Sequence, residues 1–204
     1  MRKSASPSAS DVPRPRKRPV HLRAATTMDI ILEAAAQILE ASGLERYTTN
    51  HIAERAGVSI GSLYQYFPNK DAVTVALIER EATNLADAVS RLDRTAWKST
   101  LIAMVELVSE HEHRRPRLAR LLDSEEVRLR AETVQREAGE RIRAALEDLL
   151  ATAAEFPIPI AVIVADLMAM TRGLSDASPP LAESATLARR IEWAVLGYLE
   201  MALK

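Results

Sequence analysis

Apolar residues recur every three or four positions from about residue 27 onward, which predicts a chain of helices rather than strands. The first helix is expected from a Thr27 cap through Ile31, Leu32, Ala35 and Leu39, ending before Gly43. Thr49 then caps a short second helix to Ala56, Gly57 and Val58 turn the chain, and Ser59 caps a third to about Phe67. Pro68 and Asn69 break that helix. A longer one follows from Lys70 to about Arg91, and another from Thr95 to about Arg114 carries Trp97, Leu101, Met104, Val105 and Val108 on one face. Pro116 opens a short helix to about Leu122, and Val127, Val134, Ala138, Ile142, Ala145 and Leu149 predict a long amphipathic helix from Glu125 to Ala154. After Phe156-Pro157-Ile158-Pro159, two more helices are expected, Ile160 to about Ala177 and Glu183 to about Leu203. The fold class is therefore all-α, with about nine helices.

The segment with the most specific chemistry lies between Thr49 and Phe67. Ala53 is small enough to let two helices cross closely, Gly57 tolerates the positive φ of a tight turn, and Ile52, Ala56, Val58 and Leu63 fill a small core. This is the spacing of a helix-turn-helix, in which the second helix enters the DNA major groove. Advancing 100° per residue, Gly61, Ser62 and Gln65 project to one side while Leu63 points to the core. Gln65 can bond adenine in two places, Ser62 can donate or accept, and Gly61 permits close approach to the bases. Tyr64 and Tyr66 are expected to flank the groove, and with Lys70 and the helix start at Thr49 they suit phosphate oxygens; Ser59, at the start of the third helix, completes the expected DNA-binding set. An ordinary helical hairpin would not need the capping, turn, core spacing and polar face to agree in this way.

The run TTNHIAERAGVSIGSLYQYFPNK, Thr48 to Lys70, resembles the signature of the tetracycline-repressor (TetR) family of regulators. The resemblance implies a homodimer with nine helices per subunit, three of them in the DNA-binding domain. It also implies a C-terminal domain that binds a small molecule and releases DNA. The expected organisation is a disordered basic arm over residues 1–24, a helix-turn-helix DNA-binding domain over 25–70, and a larger helical ligand-binding and dimerisation domain over 71–204. The long N-terminal arm departs from the shorter family pattern.

Composition narrows the picture further. The chain has no cysteine, so disulfides, thiolate metal sites and a cysteine nucleophile are excluded. No signal peptide is expected, because the charged start MRKSASPSAS has no apolar run behind it, and no membrane span, because Ile158 to Met170 is short and interrupted by Pro159 and Asp166. A cytoplasmic location fits these features. The net charge of −1 is unevenly spread: residues 1–25 hold seven basic side chains against Asp11 alone. That arm is either a solvated tail or a contact to phosphates or the minor groove.

No catalytic constellation accompanies the carboxylates Glu106, Glu110, Glu125 and Glu126, so no enzyme activity is expected. His111 and His113 stand two residues apart, about 200° around a helix, and cannot close one tetrahedral metal site, so neither metal nor cofactor is expected. Asp166 interrupts an otherwise apolar run and calls for a partner such as Arg172, Arg189 or Arg190, or else for exposure at the run's polar edge. The last helix offers Ile191, Val195, Tyr198 and Leu199 on one face with Trp193 and Leu196 elsewhere. Wide apolarity in the two terminal helices predicts a four-helix dimer interface.

An effector pocket is expected among Trp97, Leu101, Met104, Val108, Phe156, Met168 and Met170, with His111 and Arg172 orienting a polar group. Plain core is the competing reading for such a stripe. The function expected is a homodimeric, ligand-responsive regulator of palindromic operator DNA, a repressor released by a largely lipophilic small molecule. An activator would use the same contacts. A helical scaffold or adaptor whose first domain no longer binds DNA is the rival from another class.

Overall fold

The computed structural model describes residues 13–14, 22–153, 155–177 and 184–203. Among these residues the chain is all helical: α1 (Leu22–Ser42), α2 (Thr49–Ala56), α3 (Ile60–Tyr66), α4 (Lys70–Ser90), α5 (Trp97–Arg114), α6 (Pro116–Leu129), α7 (Glu132–Ala153), α8 (Ile160–Asp176) and α9 (Ser184–Ala202), with a 3-10 turn over Gly43–Arg46. Most of the expected arm lies outside the described residues. Residues 22–24 do not belong to an arm, because α1 begins at Leu22, well before the cap expected at Thr27. Leu22, Ala24 and Ala25 are strong helix formers and extend the helix N-terminally.

The largest departure from the sequence reading falls between α6 and α7. The short helix after Pro116 continues to Leu129, and the long one starts only at Glu132. Arg130 takes a left-handed φ of 53°, and the Ala131 amide returns to the Glu126 carbonyl at 3.0 Å. Tertiary burial holds this break: Ala131 is fully buried against Val75, and Glu125 is buried beneath Arg128. The start of α5 also moves, from Thr95 to Trp97. Asp93 accepts from both the Thr95 amide and its hydroxyl at 3.0 Å, holding Thr95 in the preceding turn.

The described residues fall into two compact units, one built from the chain up to Glu81 with Arg117–Arg136, the other from Ala82–Pro116 with the chain after Glu137. Compactness therefore does not divide at Lys70. In the first unit, Ile31, Ala35, Leu39, Ile52, Ala53, Leu63 and Phe67 share one core with Ala72, Val73, Leu77 of α4 and Leu118, Leu122 of α6. In the second, Leu101, Met104 and Val105 of α5 pack with Leu146, Leu149 and Leu150 of α7, Ile163, Val164 and Leu167 of α8, and Leu187, Ile191, Val195 and Leu199 of α9. Helices α4 and α7 each contribute residues to both units.

Candidate nucleic-acid interface

The turn before α2 is anchored by Tyr47. Its ring is 1% exposed, its hydroxyl lies 3.1 Å from Thr74 Oγ1, and Lys70 Nζ sits 5.8 Å from the ring centroid. Burial raises the phenol's pKa above its ordinary value, outweighing the opposing hydrogen bond to Thr74. With Tyr47 fixed, Thr48 takes extended dihedrals and its hydroxyl accepts the His51 amide at 3.3 Å. The N-cap of α2 is thus Thr48. Thr49, assigned that role from sequence, is the first helical residue, and either threonine satisfies the local pattern.

Gly57 ends α2 at φ 67°, and the Val58 amide bonds back to the Ala53 carbonyl at 3.0 Å, as the turn reading requires. Ser59 caps α3 by accepting the Ser62 amide at 3.0 Å, and the two serine hydroxyls lie 2.8 Å apart. Across the motif, the Thr49 and Tyr64 hydroxyls meet at 3.1 Å, joining α2 to α3 at their outer edge. Asn69, read from sequence only as a breaker, caps α4 by accepting the Ala72 amide at 2.8 Å.

The eight residues expected at DNA fall into two groups. Ser59, Gly61, Tyr64 and Gln65 are exposed; Thr49, Ser62, Tyr66 and Lys70 are half-buried. Tyr66 packs on the edge of the core, and Lys70 is drawn over Tyr47. A Cβ at Gly61 would meet only Ser59 Oγ, at 3.8 Å, so the backbone there is open to close approach. Sequence reading missed the polar chain behind this surface. Arg55 Nε donates to Gln37 at 2.9 Å, Gln37 donates to Glu33 at 3.1 Å, and Arg80 reaches Glu33 at 3.4 Å, tying α2, α1 and α4 together. His51 Nδ1 lies 2.8 Å from the Arg46 carbonyl, so that nitrogen carries the hydrogen and donates.

Two further contacts complete the first unit. Arg117 of α6 donates to the Glu40 and Ala41 carbonyls at 3.2 and 3.0 Å, while Glu40 Oε2 accepts the Leu118 amide at 2.7 Å. Each helix end thereby satisfies the other's unpaired backbone groups. Arg128 Nη2 bridges Glu125 and Asp71, both at 2.6 Å.

The nine residues expected to hold an effector do not form one lining. Leu101 and Met104 are core residues, 3% and 5% exposed. Trp97, Phe156, Met168 and Met170 pack partly buried around that same core. Val108 and His111 are half-buried, and Arg172 is exposed beside Asp176 at 3.8 Å. An open cleft of about 580 Å³ instead lies on the adjoining face of α5 against α9, lined by Ile102, Val105, Glu106, Ser109, Glu110, Ala185, Ala188, Arg189 and Glu192. Asp166 finds Tyr198 rather than an arginine, accepting its hydroxyl at 2.5 Å. Ile191, Val195 and Leu199 are buried in the unit's own core, whereas Trp193 and Met201 stand 68% and 69% exposed on another face of α9.

Among the described residues no helix is long and apolar enough to cross a membrane. What the first unit presents is a capped helix-turn-helix whose second helix has an exposed outer face, the arrangement of a DNA-reading regulator. Residues 31–77 match the family described as "Bacterial regulatory proteins, tetR family", a match confined to the segment that holds the helix-turn-helix. It is similar to the nucleoid occlusion factor SlmA of Actinobacillus pleuropneumoniae, 36% identical over 96 residues, which is 45% of this chain and 47% of that protein. An uncharacterized HTH-type transcriptional regulator of Bacillus subtilis, YvkB, is 33% identical over 85 residues, 42% of this chain and 45% of its own. The chain thus spans about half the length of these curated relatives. A TetR-family regulator from Mesorhizobium loti shares the fold over 89% of this chain and 98% of its own, with a TM-score of 0.72 at 18% identity. A transcriptional regulator from Rhodococcus sp. RHA1 does so over 87% and 98%, with a TM-score of 0.72 at 22% identity.

Proposed function

We propose that this protein is a homodimeric, ligand-responsive transcriptional repressor acting on palindromic operator DNA in the cytoplasm. The observation that carries the reading is the exposed face of α3, held in place by the Ser59 cap and the Thr49–Tyr64 contact. Two such helices would enter successive major grooves about 34 Å apart. Gln65 would read adenine, Ser62 and Gly61 would lie against the bases, and Thr49, Ser59, Tyr64, Tyr66 and Lys70 would meet the backbone. Arg55 is offset by its neighbour Glu54 and α3 has no charged residue, so α2 and α3 bring little net positive charge to the phosphates. Useful affinity then depends on two reading units in one dimer.

The dimer face we assign is formed by α8 and α9. Val162 is 48% exposed, Ala161, Ala165, Ala169 and Gly173 are exposed on the same side of α8, and Trp193, Gly197 and Met201 form an exposed stripe on α9. An apolar patch of this kind on a helix pair suits a four-helix interface. An effector bound in the second unit would favour a dimer with a different separation of the α3 helices, acting along α4, which contributes to both units. The partly buried Trp97, Phe156, Met168 and Met170 favour a largely lipophilic effector. Selection from randomised duplexes tests the proposal: it predicts enrichment of a palindrome, and failure to enrich any sequence contradicts it.

The similarity to SlmA favours a second reading, nucleoid occlusion. Genome-wide mapping of bound sites tests the repressor reading, which predicts occupancy concentrated at promoters; occupancy with no relation to promoters favours the second.

A further inference from the structure

The outer face of α3 holds less free chemistry than its sequence suggests. Ser62 shares its hydroxyl with Ser59, and Tyr64 shares its own with Thr49. Leu63 is fully buried and Gly61 has no side chain. The helix carries no charged residue. Two exposed side chains are left without a hydrogen-bonded commitment, the Gln65 amide and the aliphatic chain of Ile60. Ile60 is the first residue of the helix, directly after the Ser59 cap, and stands 38% exposed.

That position has a consequence. The N-terminal residues of a recognition helix are the ones that meet base edges. A branched aliphatic group there cannot bond a base donor or acceptor, and placing it against one would leave that group unsatisfied. The partner that suits it in the major groove is the thymine C5-methyl, which protrudes there and gains from leaving water. Gln65 lies five residues on and, on the reading proposed above, would pair with the two-point face of adenine. From this geometry we infer that Ile60 is a specificity-determining residue that recognises a thymine methyl group in each operator half-site. The inference rests on the reading of the protein as an operator-binding dimer.

Replacing thymine by deoxyuracil removes the methyl and leaves base pairing intact, so it isolates the contact. On a duplex obtained by selection with the full chain, each thymine is exchanged in turn and binding is followed by fluorescence anisotropy. Burial of one methyl group predicts a loss of about fourfold at one position per half-site, and about fifteenfold when both half-sites are changed. Ile60→Ala, an exposed change to a better helix former, should bind the thymine and uracil duplexes equally and match the wild type on uracil. Ile60→Val should keep part of the discrimination. Equal uracil penalties in wild type and Ile60→Ala, or no uracil-sensitive position, overturn the inference while leaving operator binding standing. Failure of selection to yield any bound duplex overturns both.

Discussion

The hydroxyls of Thr49 and Tyr64 lie 3.1 Å apart and join the first residue of α2 to the exposed middle of α3. With the Gly57 turn, the Val58–Ala53 bond and the shared core under Leu63, this contact joins the reading helix to its supporting helix. Tyr64→Phe keeps the ring and removes the bond. Since the pair is exposed, stability measured by urea unfolding should fall by no more than about 1 kcal/mol. Operator affinity should fall further than stability, because a freer α3 must be ordered on binding. Parallel losses in both would mean that the bond only stabilises the fold.

Gly43 and Gly57 have nearly the same φ, 66° and 67°, but different surroundings. A Cβ at Gly57 meets nothing within 4 Å, whereas one at Gly43 would come within 2.8 Å of Arg117 Nη2, whose guanidinium caps α1. Gly57→Ala should cost about 1–2 kcal/mol, the left-handed backbone alone. Gly43→Ala should cost more. In an Arg117→Ala background the excess should disappear, and a double-mutant cycle by chemical denaturation reads that coupling directly.

Tyr47 gives the fold a pH dependence on the alkaline side. Its pKa is raised by burial in the folded chain, so above about pH 10 the unfolded state ionises the phenol while the folded state holds the proton. Its contribution is therefore complete below that pH and is lost as pH rises toward the folded-state value. Unfolding free energy measured between pH 9 and 11 should decline. Tyr47→Phe should decline less steeply, at a cost of about 1 kcal/mol at neutral pH for the bond to Thr74. An identical slope in the two proteins would contradict this assignment.

Trp193 is 68% exposed, so removing it should leave the isolated chain's helicity unchanged. If the α8–α9 face forms the dimer, Trp193→Glu places a charge in its interior, and sedimentation should show monomers at concentrations where the wild type is dimeric. Operator affinity should fall with it. A persistent dimer would move the interface elsewhere.

These predictions lean on features that the sequence disclosed unevenly. The helix-turn-helix was legible because its determinants are local: Ser59 bonds an amide three residues on, and Gly57 relieves its own backbone. The local pattern points to Thr49 for the cap that Thr48 makes, since the choice depends on the extended backbone following the anchored Tyr47. The break at Arg130 had no local signal at all. No glycine or proline marks it, and the left-handed arginine is held by Ala131 burying against Val75. The effector stripe could not be told from plain core for a related reason. Leu101 and Met104 follow the helical period faithfully, but that face of α5 serves the core, while the open cleft begins one face over at Ile102 and Glu106. Asp166 was recognised as needing a partner, yet an arginine was sought where Tyr198 donates.

The central claim is that two α3 helices, one from each chain of a dimer, read adjacent turns of one DNA face. Hydroxyl-radical footprinting of the full chain on a selected duplex tests it most directly. Two protected windows with centres about 10 base pairs apart are expected, both lost together in Trp193→Glu. A single protected window, or two that survive when the chain is monomeric, would contradict it.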